Sequence, residues 1–141
     1  MGIYIGGTGS SNHLEDYEEG SWTPAVEGAS GLNVSQNFGR YRKIGNLVVV
    51  SCRLQFSASG NDGGSIGAAG LPFSAKSGLG ENYTSGGITY CNLSLDANRF
   101  HPYVAEGQSV VKFYEMNSGA AVNISGSFSN KYLGFSAHYF T

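Results

Sequence analysis

Between Leu47 and Phe56 the chain alternates without a break. Val48, Val50, Cys52, Leu54 and Phe56 fall on one side; Leu47, Val49, Ser51, Arg53 and Gln55 fall on the other. A period of two is what a half-buried strand produces, because successive side chains point to opposite faces of a sheet. Gly45-Asn46, just before this run, reads as a two-residue hairpin turn of the Gly-first kind. That turn pairs Ile44 with Leu47 and Tyr41 with Val50, so Tyr41 joins the Val48/Val50 face. Arg40 and Arg42 join Val49 and Ser51 on the opposite face. One face is a core face. The other mixes arginines with Leu47 and Val49, an odd composition for plain solvent exposure.

Other strands follow from the same rule. Thr89, Cys91, Leu93 and Leu95 alternate with Ile88, Tyr90, Asn92 and Ser94, and Leu133, Phe135, Ala137 and Tyr139 share one face of the final segment. Ser109 to Glu115 and Ala121 to Ser125 are rich in strand-forming residues. Phe100-His101-Pro102-Tyr103-Val104 reads as an edge strand or a loop, since proline cannot donate to a central ladder. Gly, Ser and Asn punctuate the gaps, as at Ser59-Gly60-Asn61-Asp62-Gly63-Gly64 and Gly78-Leu79-Gly80-Glu81-Asn82. No stretch reads as an amphipathic helix. The pattern predicts an all-β fold, an antiparallel β-sandwich or jelly-roll-like domain over residues 21–141. A strand running to Thr141 predicts a tied-down C-terminus and the natural end of the protein. Residues 1–20 differ: Ile3-Tyr4-Ile5, a Gly/Ser run and the acidic Glu15-Asp16-Tyr17-Glu18-Glu19 show no persistent period. They predict a short irregular neck leading from an upstream body.

Composition narrows the function. The 141 residues suit one domain, and only 13% of them are charged, against about 25% in typical soluble domains. A neutral, polar surface suits packing against other subunits or neutral ligands such as glycans. The net charge is −2, and Arg40, Arg42 and Lys43 are the one basic cluster, which argues against a nucleic-acid partner. No apolar run approaches the roughly 20 residues a membrane-spanning helix needs, which excludes insertion by that route. The N-terminus lacks the basic and apolar regions of a secretory signal. Cys52 and Cys91 both lie on apolar strand phases and read as small buried hydrophobes.

Signatures of catalytic or metal chemistry are sparse. His13, His101 and His138 stand far apart, with no Cys, His or Glu at ligand spacing, so no metal or cofactor is expected. Gly6-Gly7-Thr8-Gly9-Ser10-Ser11 lacks the lysine of a phosphate-binding loop. Adjacent carboxylates in the acidic run cannot flank a sugar cleft as glycosidase carboxylates must. The obvious partner of that run is the Arg40/Arg42/Lys43 group. Aromatics are the better lead, with 9 Tyr, 8 Phe and Trp22. Tyr83, in a Gly-rich loop, and Tyr103, beside Pro102, stand off clean core phases. Flat amphipathic rings beside Asn and Asp suit stacking on the apolar face of a pyranose.

Three segments carry a family resemblance. The stretch from Gly6 to Pro24, with Asn12-His13-Leu14-Glu15-Asp16-Tyr17-Glu18-Glu19-Gly20-Ser21-Trp22-Thr23-Pro24 at its heart, resembles a segment that introduces a C-terminal module in bacteriophage tail fibre and tailspike proteins. The family segment reads Asn-x-Leu-Asp-Asp-Tyr-Glu-Glu-Gly-Thr-Trp-Thr-Pro, from which Glu15 and Ser21 depart. Gly39-Arg40-Tyr41-Arg42-Lys43-Ile44-Gly45-Asn46-Leu47-Val48 resembles a second recurring piece and Gly70-Leu71-Pro72-Phe73 a third. The resemblance implies a β-sandwich at the distal tip of a homotrimeric fibre, part of the virion and extracellular at the host surface. It implies a binding module for a bacterial surface polysaccharide or lipopolysaccharide, without enzymatic activity. The alternative is a structural module that trimerises and caps the fibre with no receptor site of its own. A depolymerase is disfavoured, because no convergent acid pair is found. No ligand residue carries over from the family. Loops on a rigid scaffold are where binding residues concentrate, and on that ground Asp62, Asn82, Tyr83 and Tyr103 are the expected ligand contacts.

Overall fold

The computed structural model describes residues 3–4, 13–14, 16–28, 31–57, 65–78, 83–93, 100–115 and 129–141. Among them there is no helix, and so none long and apolar enough to cross a membrane. Strands β1 (Ile3–Tyr4) and β2 (His13–Leu14) form a short antiparallel pair. The other strands are β3 (Tyr17–Trp22), β4 (Ala25–Gly28), β5 (Val34–Ile44), β6 (Leu47–Phe56), β7 (Ile66–Ala69), β8 (Tyr83–Cys91), β9 (Phe100–Ala105), β10 (Val110–Glu115) and β11 (Tyr132–Phe140). They run in one antiparallel ladder, β3-β5-β6-β11-β8-β9-β10-β7-β4.

That ladder folds into two sheets at β8. Residues from Gly86 to Cys91 pair with β11, whereas Tyr83 to Ser85 pair with β9. The first sheet is therefore β3-β5-β6-β11-β8 and the second β8-β9-β10-β7-β4. At the far margin β3 and β4 follow each other in sequence through Thr23-Pro24. The fold is an all-β antiparallel sandwich, as the strand pattern predicts.

The hairpin is as read: Ile44 pairs with Leu47 and Tyr41 with Val50. Gly45 has φ 58°, while Asn46 keeps a negative φ, the arrangement of a turn with its left-handed residue first. Val48, Val50, Cys52, Leu54 and Phe56 are buried, and so are Leu133, Phe135, Ala137 and Tyr139 opposite them in β11. From the second sheet Ile66, Ala68, Val104, Val111 and Phe113 meet them. Phe113 and Phe135 pack edge to face across the sandwich, with ring centroids 5.3 Å apart. Cys52 is buried, Cys91 is packed against the core, and both thiols are free. The backbone N–H of Thr141 donates to Asn46 O at 2.9 Å, so the end of β11 is tied to the hairpin turn.

Three features depart from the sequence reading. Tyr17 to Gly20 lie in β3, paired with β5 from Ile44 to Tyr41, so the ordered sheet begins inside the stretch read as an irregular neck. β3 is an edge strand whose side chains are mostly exposed on both faces, so no period of two marks it. Tyr103 lies in a paired strand rather than an irregular stretch, with β10 on one side and β8 on the other. Pro102 is tolerated because β8 pairs only from Tyr103 to Ala105, leaving Pro102 past the end of that ladder. In β8 the register with β11 shifts between Gly134 and Phe135. This bulge sends Thr89 and Tyr90 both outward and breaks the alternation read through residues 88–95. Ala121 to Ser125, read as a strand, lie outside the described residues.

Candidate functional site

Of the expected ligand contacts, Tyr83 and Tyr103 are among the described residues, and both stand in strands. Asp62 and Asn82 lie outside the described residues. Tyr83 opens β8 opposite Ala105, and Ser85 stands opposite Tyr103. Tyr83 and Tyr103 are thus placed on neighbouring strands of the second sheet, a diagonal apart in the ladder.

Tyr103 belongs to a row that crosses this sheet. Glu27 stands opposite Gly67, Gly67 opposite Lys112, and Lys112 opposite Tyr103. All are on the outward phase, since Val26, Ala68, Val111 and Val104 beside them face the core. Gly67 has no side chain, and the Val110 side chain leans over it, 3.1 Å from where a Cβ would stand. Along this row runs a shallow groove of about 210 Å³ lined by Glu27, Ser65, Tyr103, Val110, Lys112 and Phe113, with Gly67 in its floor. The Tyr103 ring is half-buried and packs edge-on against Tyr114, with centroids 5.1 Å apart. A carboxylate, an ammonium group, hydroxyls and a fixed ring thus line one trough. Such groups can hydrogen-bond vicinal sugar hydroxyls and stack on a pyranose face. Glu27, Gly67 and Lys112 are absent from the sequence-based set. The register that joins β4, β7, β10 and β9 is non-local, and nothing in the linear pattern marks it.

The outward face of the first sheet is chemically different. Its rows read Tyr17, Ile44, Leu47, Phe140; then Glu19, Arg42, Val49, His138; then Ser21, Arg40, Ser51, Ser136; then Phe38, Arg53, Gly134, Tyr90. Arg53 lies over the Tyr132 ring, 5.0 Å from its centroid, and Tyr132 meets Tyr90 edge-on. A second shallow groove, about 250 Å³, is lined by Arg40, Arg42, Ile44, Leu47, Val49 and Ser136. This is the mixed arginine and aliphatic face read from the hairpin.

The acidic run and the basic cluster meet within the chain. Glu19 pairs with Arg42 at 3.4 Å, and Asp16 with Lys43. Tyr41 donates its hydroxyl to Glu18 at 2.6 Å, and this hydrogen bond raises the phenol's pKa. Lys43 also lies 5.7 Å from the Phe73 ring centroid, and Tyr41 packs edge-on against Phe73. Trp22 covers Gly39, where an added Cβ would fall 2.5 Å from the indole nitrogen. The three segments from Gly6 to Pro24, Gly39 to Val48 and Gly70 to Phe73 therefore interlock with one another through Asp16, Trp22, Gly39, Tyr41, Lys43 and Phe73. Their contacts are those of a scaffold. Among the described residues no group of three or more His, Cys, Asp and Glu could hold a metal ion. Comparison of the chain with protein-family models, curated proteins and solved structures gave no match.

Proposed function

We propose that this chain is the distal module of a bacteriophage tail fibre or tailspike, working as a homotrimer that holds a bacterial surface polysaccharide or lipopolysaccharide without cleaving it. The fibre assignment rests on the three segments quoted above, whose mutual packing is consistent with one inherited scaffold. The observation that carries the binding reading is the outward row Glu27, Gly67, Lys112, Tyr103 with its groove. A sugar ring would lie on the exposed part of Tyr103. Glu27 would accept hydrogen bonds from ring hydroxyls, and Lys112 would donate one. Each contact is weak, and three copies acting on a repeating polymer supply the affinity.

The test is retention of the protein on an array of bacterial polysaccharides and lipopolysaccharides. The parent is expected to bind at least one of them. Glu27→Gln removes a charged hydrogen-bond acceptor from an exposed strand position, worth about tenfold or more in affinity, and should leave the melting temperature unchanged. Tyr103→Phe keeps the ring and its packing on Tyr114 and tests the hydroxyl alone. Equal retention of Glu27→Gln and the parent removes this groove as the site. If the parent binds nothing on the array, the second reading takes over: a structural module that trimerises and caps the fibre. The interlock of Asp16, Lys43, Tyr41 and Phe73 favours that reading, because the recurring segments build scaffold and reach no groove on the second sheet.

A further inference from the structure

We propose that the outward face of the first sheet is the interface between copies of this chain, joined by an offset contact that sets the β3 margin of one copy against the arginine-bearing strands β5 and β6 of the next. The number of copies, three, rests on the fibre-tip reading. The surface and the offset rest on the residues.

Single exposed apolar side chains scattered over a protein are ordinary; a concentration on one face marks a binding surface. Among the described residues the large hydrophobics with high exposure are Tyr17 at 40%, Phe38 at 59%, Ile44 at 46%, Val49 at 45% and Tyr90 at 59%. All of them stand on the outward phase of the first sheet. The outward row of the second sheet holds Glu27, Gly67, Lys112 and Tyr103 instead.

The composition of the face points to a protein partner. Interface centres are enriched in Arg, Tyr and Phe and depleted in Lys. This face carries Arg40, Arg42, Arg53, Tyr17, Tyr90, Tyr132 and Phe38, and no outward position of β3, β5, β6 or β11 is a lysine. Its Val49, Leu47 and Ile44 floor offers no hydrogen bonds to a sugar. A nucleic acid would need many more cations than this.

The charge layout fits a second copy in an offset placement. The arginines lie on β5 and β6, in the body of the sheet. The outward acid, Glu19, lies on the edge strand β3, and its exposed pair with Arg42 at 3.4 Å is of a kind worth little. Arg40 has no acidic partner among the described residues. An offset contact brings Glu19 of one copy onto Arg40 of its neighbour and covers Val49 and Ile44 at the same time. A contact between two different patches repeats from copy to copy and closes into a ring when the rotation permits, as in a trimer.

Light scattering on the full chain at micromolar concentration tests this, with the parent beside Val49→Arg and Ile44→Arg. The chain mass is 14.8 kDa. The parent is expected at three times that mass. Both variants are expected at the single-chain mass, with a cooperative melt that no longer depends on concentration. If Val49→Arg does not fold, Ser51→Arg at an exposed polar position of the same face gives the same readout. Glu27→Gln, on the other sheet, should keep the parent mass. A trimer that survives both arginine substitutions overturns the interface and leaves the fibre reading standing. A parent that runs as a monomer overturns the interface and the trimer together, while leaving the polysaccharide array to decide the binding site. A dimer sensitive to Val49→Arg overturns the offset ring.

Discussion

Leu54 shows how much the alternating run alone says about one side chain. Its place on the Val48 to Phe56 row marks it as core, and it is 0% exposed, paired across the ladder with Leu133 and Asn37. Leu54→Ala deletes buried methyl groups and leaves a cavity that a sandwich cannot close fully. The expected loss is about 2–5 kcal/mol by denaturant unfolding, with a folded baseline still present. A loss near zero would mean the strand phase is inverted. Glu27 and Lys112 are the opposite case. Each is a charged residue in a short strand, and only the non-local register gives them a shared groove.

The element most legible in the sequence is the β5–β6 hairpin, where turn chemistry and alternation agree. Gly45 adopts φ 58° with open space around its Cβ position, so a substitution there is opposed by backbone strain alone. Gly45→Ala is expected to cost more than about 0.4–1 kcal/mol, read as a lower unfolding midpoint with an unchanged native spectrum. An unaltered midpoint would show that the turn tolerates an L side chain. Legibility fails where burial on one face no longer drives the pattern. β3 is missed because an edge strand exposed on both faces has no reason to alternate. The β8 reading slips because a bulge puts two consecutive residues on one side. β9 is demoted by Pro102, which the short β8 ladder accommodates. The site follows the same division. The arginine and aliphatic face is visible in the sequence because it is the other side of the best-patterned strand. The second-sheet groove is not, because it is made by pairing strands distant in sequence. Of the expected contacts, Tyr103 is the one that lines it among the described residues.

At the scale of the whole molecule, the sandwich buries titratable groups in its middle, and this sets an alkaline limit on stability. Burial pushes the Cys52 thiol up to about 12 from 9.0, and the Tyr139 phenol up to about 12 from 10.0. Both groups are neutral when protonated and become anions when they ionise. In the unfolded chain they lose their protons near their ordinary values, while in the folded chain they hold them. Between about pH 9 and 12 the native state therefore binds more protons than the unfolded state, and stability falls as pH rises. Below pH 9 these two groups contribute their full share, and the melting temperature should not vary on their account. The parent curve sums every group that titrates, so a variant isolates the effect. Tyr139→Phe removes one of the two groups while keeping the ring that fills the core. Its melting temperature should fall less steeply than the parent's between pH 9 and 12, and the two slopes should agree below pH 9. Parallel curves across the whole range would show that Tyr139 ionises as easily in the folded molecule as in the unfolded one, and that the centre of the sandwich is open to water.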